Sequence, residues 1–204
     1  MKEEEEPDFL LISSGIKEYG LKENIETQKA LYYFSLGELA SLQNEVDEAI
    51  SYFQKALKID PSSDHLHSRL AEEYMKKSEL ELSKVHFQKT IEINKNSISA
   101  HFLLANILAA EKKYDEAIQH YRKTIELDSE REQAYLLLAT VYAEKEDYEN
   151  AIKWMRGLLK VKPQSFMGYY YLGRIYSDQQ KLLLAVKQYK KSLKLNPAFH
   201  LAAL

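Results

Sequence analysis

Apolar residues recur along this chain at helical spacing, and the helical stretches themselves recur every thirty-four residues. From Leu31 to Leu42 the large apolar residues return with a period near that of an α-helix. The pattern breaks at Gln43 to Val46 and resumes from Asp47 to Ile59, and the same pair of stretches follows four more times. Gly37, Ala71, Ala105, Ala139 and Gly173 form one column of small residues, and Ala49, Ser83, Ala117, Ala151 and Ala185 form a second. Four residues after the second column stand Phe53, Phe87, Tyr121, Met155 and Tyr189. Small and bulky sets one turn apart share a helix face, which predicts helices that approach closely along it. A leucine precedes each member of the first column, at Leu36, Leu70, Leu104, Leu138 and Leu172. Pro61, Pro163 and Pro197 close three copies, while Asn94 to Ser97 and Asp128-Ser129 supply polar turns in the other two. The pattern predicts an all-α chain of five helix pairs.

Tyr33, Leu36, Gly37, Ala49, Phe53, Ala56 and Pro61 in the first copy, and Tyr169, Leu172, Gly173, Tyr176, Ala185, Tyr189 and Pro197 in the fifth, resemble the tetratricopeptide repeat. The resemblance covers residues 30 to 199, as units 30–63, 64–97, 98–131, 132–165 and 166–199. It implies an α-solenoid, a right-handed superhelix of helix-turn-helix repeats that buries its apolar surface between neighbouring units. The second copy departs furthest, with Ser83, Thr90 and Lys95, and is expected to pack most loosely.

At the ends the pattern thins. Residues 1–8 carry five acids and nothing to bury, and read as a disordered acidic tail. In residues 9–29, Gly15, Ile16, Tyr19 and Ile25 fall in the columns of Ala49, Ile50, Phe53 and Ile59, so this stretch reads as a helical N-terminal cap or half-repeat. Residues 200–204 read as the start of a truncated further helix, and the uncapped end, with Leu193 and Leu204, is a candidate for self-association. The chain is on this reading a fragment of something longer.

Composition narrows the function. Of 204 residues, 45% are hydrophobic and 29% charged, as in a soluble folded protein, and a net charge of -3 without a basic cluster gives no reason to expect nucleic acid. No run approaches the ~20 apolar residues that span a bilayer, and Phe9 to Ile12 follows acids rather than a basic leader. Neither membrane insertion nor a signal peptide is expected, and the location is taken as cytoplasmic. The chain has no cysteine, which removes disulfides and thiolate chemistry. Its six glycines form no phosphate-binding loop. His67 and His101 share a column, as do His86 and His120, so stacking is expected to bring like histidines near each other, but there is no H-E-x-x-H and packing is the simpler role. No catalytic constellation assembles, and neither enzyme activity nor a cofactor or metal is expected.

What remains is binding. The resemblance implies a concave groove lined by the first helix of each repeat. Carried over position by position, it places Leu31, Phe34, Glu38, Ser41 and Leu42 there from the first copy and His65, Ser68, Arg69, Glu72, Met75 and Lys76 from the second. Phe102, Leu103, Asn106 and Ala109 follow from the third, Leu136, Leu137, Thr140 and Ala143 from the fourth, and Met167, Tyr170, Tyr171 and Arg174 from the fifth. The groove is expected to be apolar and aromatic, most of all in copies three to five. The carboxylate clamp of chaperone-binding relatives is missing, since its columns hold Ser68, Glu72, Leu103, Gln133 and Leu137. The asparagine ladder of the glycosyltransferase-linked repeats is missing too, its column reading Ser35, Arg69, Leu103, Leu137 and Tyr171. The expected function is an adaptor or assembly scaffold that takes a peptide or amphipathic helix. The alternatives are a regulatory region of a larger enzyme, such as a glycosyltransferase, or a component of a bacterial envelope assembly.

Overall fold

A computed structural model describes residues 21–199, and every regular element among them is an α-helix. Residues 1–95 and 96–204 form two compact units. The first contains α1 (Leu21–Leu42), α2 (Val46–Ile59), α3 (Asp64–Lys76) and α4 (Leu80–Ile93). The second contains α5 (Ile98–Ala110), α6 (Tyr114–Leu127), α7 (Glu132–Glu144), α8 (Tyr148–Val161), α9 (Phe166–Asp178) and α10 (Leu182–Leu195). Odd-numbered helices are the first of each pair and even-numbered ones the second. Each pair packs on itself, and within a unit each second helix packs on the first helix of the next pair. This is an all-α solenoid of helix pairs.

The turn inside each pair is the same at all five places and uses no glycine. Asn44, Ser78, Lys112, Glu146 and Gln180 all have φ near +60°. The next amide in each case reaches back to the last turn of the first helix, as in Glu45 N to the Ala40 carbonyl at 2.9 Å and Lys181 N to the Tyr176 carbonyl at 2.8 Å. That geometry satisfies carbonyls the helix end leaves open. Between pairs, Asp60, Asp128 and Asn196 accept from the amide two residues on, at 3.1 to 3.2 Å. The side-chain turn stands beside Pro61 and Pro197 in two of these places and forms without proline at Asp128-Ser129. Ser63 and Ser165 then cap α3 and α9 through the amides of Leu66 and Gly168.

Packing follows the columns. Phe53 and Phe87 are fully buried, as are Ala49, Ala71, Ala105, Ala117, Ala139 and Ala151. The rings lie directly on the small residues of the facing helix. A Cβ added to Gly37 would stand 2.5 Å from the Phe53 ring, and one added to Gly173 would stand 2.6 Å from the Tyr189 ring. The second pair is not the loose point it was expected to be. Ser83 and Thr90 are 0% and 1% exposed, and their hydroxyls donate to the Ala71 carbonyl at 2.8 Å and the His86 carbonyl at 3.1 Å. The polar atoms are satisfied by backbone, so the columns close as tightly as with alanine.

The expected boundary at residue 30 also differs. Residues 21–29 continue straight into the first repeat as part of a single 22-residue helix, with no turn between a preceding half-repeat and Ala30. Leu21 to Lys29 contains neither proline nor glycine and is rich in good helix formers, so nothing stops the helix there. The rest of the expected cap, the acidic tail and residues 200–204 lie outside the described residues.

Two substitutions test the columns. Gly37→Ala gains roughly 1 kcal/mol of helix propensity but drives a methyl into a ring that is 0% exposed, so the melting temperature is expected to fall. A rise would show that the Phe53 ring has room. Ala117→Leu, at a fully buried position, is expected to cost roughly 1 to 3 kcal/mol by overpacking. A neutral result in thermal or urea unfolding would place this column on the surface.

Candidate functional site

Within residues 96–204, α7 contacts α9 directly, and the side of the first helices carries the side chains that stacking leaves over. Phe102, Leu103, Asn106, Leu137, Thr140, Met167, Tyr170 and Tyr171 are half-buried there, and Arg174 is exposed. Thr140, Tyr171 and Arg174 meet at a cleft of about 230 Å³, whose other walls include Ala143, Glu144, Glu146, Ile175 and Asp178. This cleft is lined by more polar and charged groups than apolar ones, with Glu144, Glu146 and Asp178 beside Arg174.

Several of these groups are already engaged. The Tyr121 hydroxyl donates to Asn106 Oδ1 at 2.8 Å, which leaves the Asn106 amide NH₂ as the group able to bond a ligand carbonyl. Burial holds the Tyr121 hydroxyl well above the ordinary tyrosine range, so it stays a donor. Thr140 donates back to the Leu136 carbonyl at 2.9 Å. Arg131 lies over the Phe102 ring at 4.3 Å and Arg174 over the Tyr171 ring at 5.6 Å, contacts that keep flat apolar faces beside a cation. Tyr170 packs against Tyr189 at 5.8 Å and Phe199 at 5.1 Å, and is part of the wall. Leu136, expected in the groove, is 8% exposed and offers almost no surface.

In residues 1–95 the corresponding helices carry charge. Arg69 bonds Glu38 at 2.5 Å, Glu72, and the Ser41 hydroxyl at 3.2 Å. Ser41 and Lys76 both donate to Glu73 Oε1 at 2.7 Å. Burial lowers the pKa of the Arg69 guanidinium, but its hydrogen bonds and the charges of Glu38 and Glu72 outweigh this, and the balance is upward. Phe34 stacks between Phe53 at 5.9 Å and His65 at 5.1 Å, and Met75 is half-buried. Arg69 and Glu72, expected as ligand contacts, are tied to their neighbours. The sequence did not signal the links between α1 and α3, because Glu38 and Ser41 lie twenty-eight or more residues from Arg69, Glu73 and Lys76.

The histidines pair differently from expectation. His67 Nδ1 lies 2.9 Å from His86 Nδ1, and His101 Nδ1 lies 2.9 Å from His120 Nδ1, each within one repeat rather than between repeats. His67 Nε2 is 3.3 Å from the Pro61 carbonyl, which only accepts, so His67 donates there and takes the His86 proton at Nδ1. The recurrent nineteen-residue spacing marks an aromatic contact between the two helices of a pair, which Tyr135 and Trp154 also make at 6.1 Å. Among the described residues no group of three or more possible metal ligands assembles. Burial, then the neighbouring imidazole, pushes His86 and His120 down to about 4. A depressed histidine pKa contributes stability that is complete above the unfolded value of about 6.5 and is lost as pH falls toward 4. The melting temperature is therefore expected to drop across that window. His86→Gln with His120→Gln, using the residue that position 188 carries in the same column, is expected to flatten the drop, and an unchanged profile would contradict the pairing.

Four family models, each described as tetratricopeptide repeat, match residues 30–63, 86–119, 108–172 and 168–199. No curated protein sequence matches. Among solved structures, a crystal structure of MamA superposes with a TM-score of 0.78 at 23% identity, covering 84% of this chain and 93% of that one. YrrB, described as a TPR protein with an unusual peptide-binding site, superposes at 0.74 with 20% identity, covering 90% and 94%. Pseudomonas aeruginosa pilF superposes at 0.67 with 19% identity, covering 84% and 78%. At these identities the likeness is one of fold. With its helix pairs, its columns and these matches, the chain belongs to the tetratricopeptide repeat family.

Proposed function

We propose that this chain is a protein-interaction module, an adaptor or assembly scaffold that takes a peptide or amphipathic helix along its first helices. The observation that carries the reading is the set of half-buried apolar side chains Phe102, Leu103, Leu137, Met167 and Tyr171. The stacking faces are filled by other columns, so these are available to a ligand. Rigid aromatics in a partly desolvated groove are what peptide hot spots use. Asn106 and Arg174 add one amide donor and one cation to orient a backbone. Members of the family are typically interaction modules rather than catalysts, and YrrB, which shares the fold, is described as having a peptide-binding site. A cytoplasmic location belongs to the same reading. No helix among the described residues is long and apolar enough to cross a membrane.

Phe102→Ala combined with Tyr171→Ala tests the groove and leaves the packed Tyr170 alone. Peptides selected by display on the full chain are expected to bind the variant at least about tenfold more weakly, ~1.4 kcal/mol, with helicity unchanged by circular dichroism. Undiminished binding would move the site elsewhere.

A further inference from the structure

A second surface in residues 96–204 lies on the other side of the helix pairs, and stacking does not account for it. A cavity of about 1050 Å³ opens where α8, α9 and the start of α10 meet. Tyr135, Trp154 and Tyr176 line it with rings, and Gly157 keeps it open, since a Cβ there would meet only Tyr135 at 3.5 Å. Its rim is basic: Lys153, Arg156 and Lys160 share one face of α8, and Lys181 stands just before α10, against the single carboxylate of Glu149. Arg156 donates to the Tyr176 hydroxyl at 3.2 Å. Lys153, Lys160 and Lys181 form no ion pair among the described residues.

Leucines complete this surface where the repeat pattern calls for acids. Leu184 lines the cavity and is 42% exposed, and Leu183 beside it is 89% exposed. The position of Leu183 is held by Asp47, Glu81, Asp115 and Glu149 in the other four repeats. Asp115 and Glu149 are exposed although α6 and α8 are each followed by another pair, so a following helix does not cover this place. An acid there complements the helix N-terminus. Leucine gives that up and leaves apolar surface in water, which marks a contact.

The cavity asks for a polypeptide with carboxylates beside apolar residues, and one stretch of this chain has both. Residues 3–12 read Glu-Glu-Glu-Glu-Pro-Asp-Phe-Leu-Leu-Ile. We propose that residues 3–12 of a second copy of the chain dock here, the carboxylates on Lys153, Arg156, Lys160 and Lys181 and the apolar residues on Trp154, Leu183 and Leu184. In a solenoid each repeat touches only its neighbours. On this proposal the segment and the cavity are partners between molecules, and concentration dependence distinguishes this from docking within one chain. Each copy carries one segment and one cavity, so association is head-to-tail. The cavity shares no residue with the first-helix groove, and either assignment stands if the other fails.

Trp154 is the single tryptophan of the chain, so its fluorescence reads out this site alone. The full chain is followed by sedimentation and tryptophan emission over a concentration series at low salt. The expected result is a rise in mass with concentration, accompanied by a shift in Trp154 emission, both weakened by added salt. Lys153→Glu with Lys160→Glu, and separately Glu4→Lys with Glu5→Lys, are each expected to weaken association about tenfold or more. Mixing the two variants is expected to restore it, because the reversed rim of one chain then fits the reversed segment of the other. Leu183→Asp, which restores the acid found in the other repeats, is expected to weaken association as well, with helicity retained in every case. A single mass at all concentrations, association indifferent to both reversals, or no restoration in the mixture would overturn the proposal. An emission change independent of concentration would overturn it too, since the segment would then dock within its own chain.

Discussion

The fold rests on a ring pressed against a small residue. Phe53 on Gly37 and Tyr189 on Gly173 leave no space for even a methyl between them, and Phe87 and Tyr121 sit just as deep in the columns that face Ala71 and Ala105. Close approach of the two helices in a pair depends on this match of bulk to absence of bulk. The contact recurs every thirty-four residues, so each pair presents the same shape to the next. No central core is needed, and stability is the sum of similar interfaces between neighbours.

The same constraint divides the side chains. Those that stack are fixed by the columns, and those left over are free to vary between repeats. In residues 96–204 the leftover first-helix positions hold Phe102, Leu103, Leu137, Met167 and Tyr171, surfaces suited to another polypeptide. In residues 1–95 they hold Glu38, Arg69, Glu72 and Lys76, which engage one another and Ser41. Even a stacking position changed character there. Glu73 is fully buried in the column of Ile107, Val141 and Ile175, held by Ser41 and Lys76 through one carboxylate oxygen while the other has no partner. A buried carboxylate of this kind ties α1 to α3 by charge and hydrogen bonds where the later repeats use apolar contact.

Period, pairing and packing columns were legible in the sequence because they are local and repeat. A turn of fixed length and a small residue at a fixed offset carry their own signature. The continuous helix from Leu21 was not legible, since the thirty-four-residue ruler placed a helix end where the residues themselves favour helix. Ser83 and Thr90 read as weak packing because a column shows size and polarity but not the backbone carbonyl each hydroxyl reaches. Position along the first helix named candidate groove residues, but whether such a side chain is engaged by its neighbours, as Tyr170 and Arg69 are, depends on residues distant in sequence. The histidine pairs join a first helix to a second, and the basic rim at Trp154 lies mainly on α8, outside the positions from which a ligand surface was expected. Their signal was present as nineteen-residue spacing and as leucine at Leu183 in a column of acids.

Hydroxyl-radical footprinting of the full chain, alone and with a peptide selected by display, tests the division of side chains most directly. The account predicts that the peptide protects Phe102, Met167 and Tyr171, while the buried rings of Phe53 and Phe87 stay unreactive in both states. Protection absent from those three residues and confined to the second helices, or ready oxidation of Phe53 and Phe87 in the free chain, would contradict it.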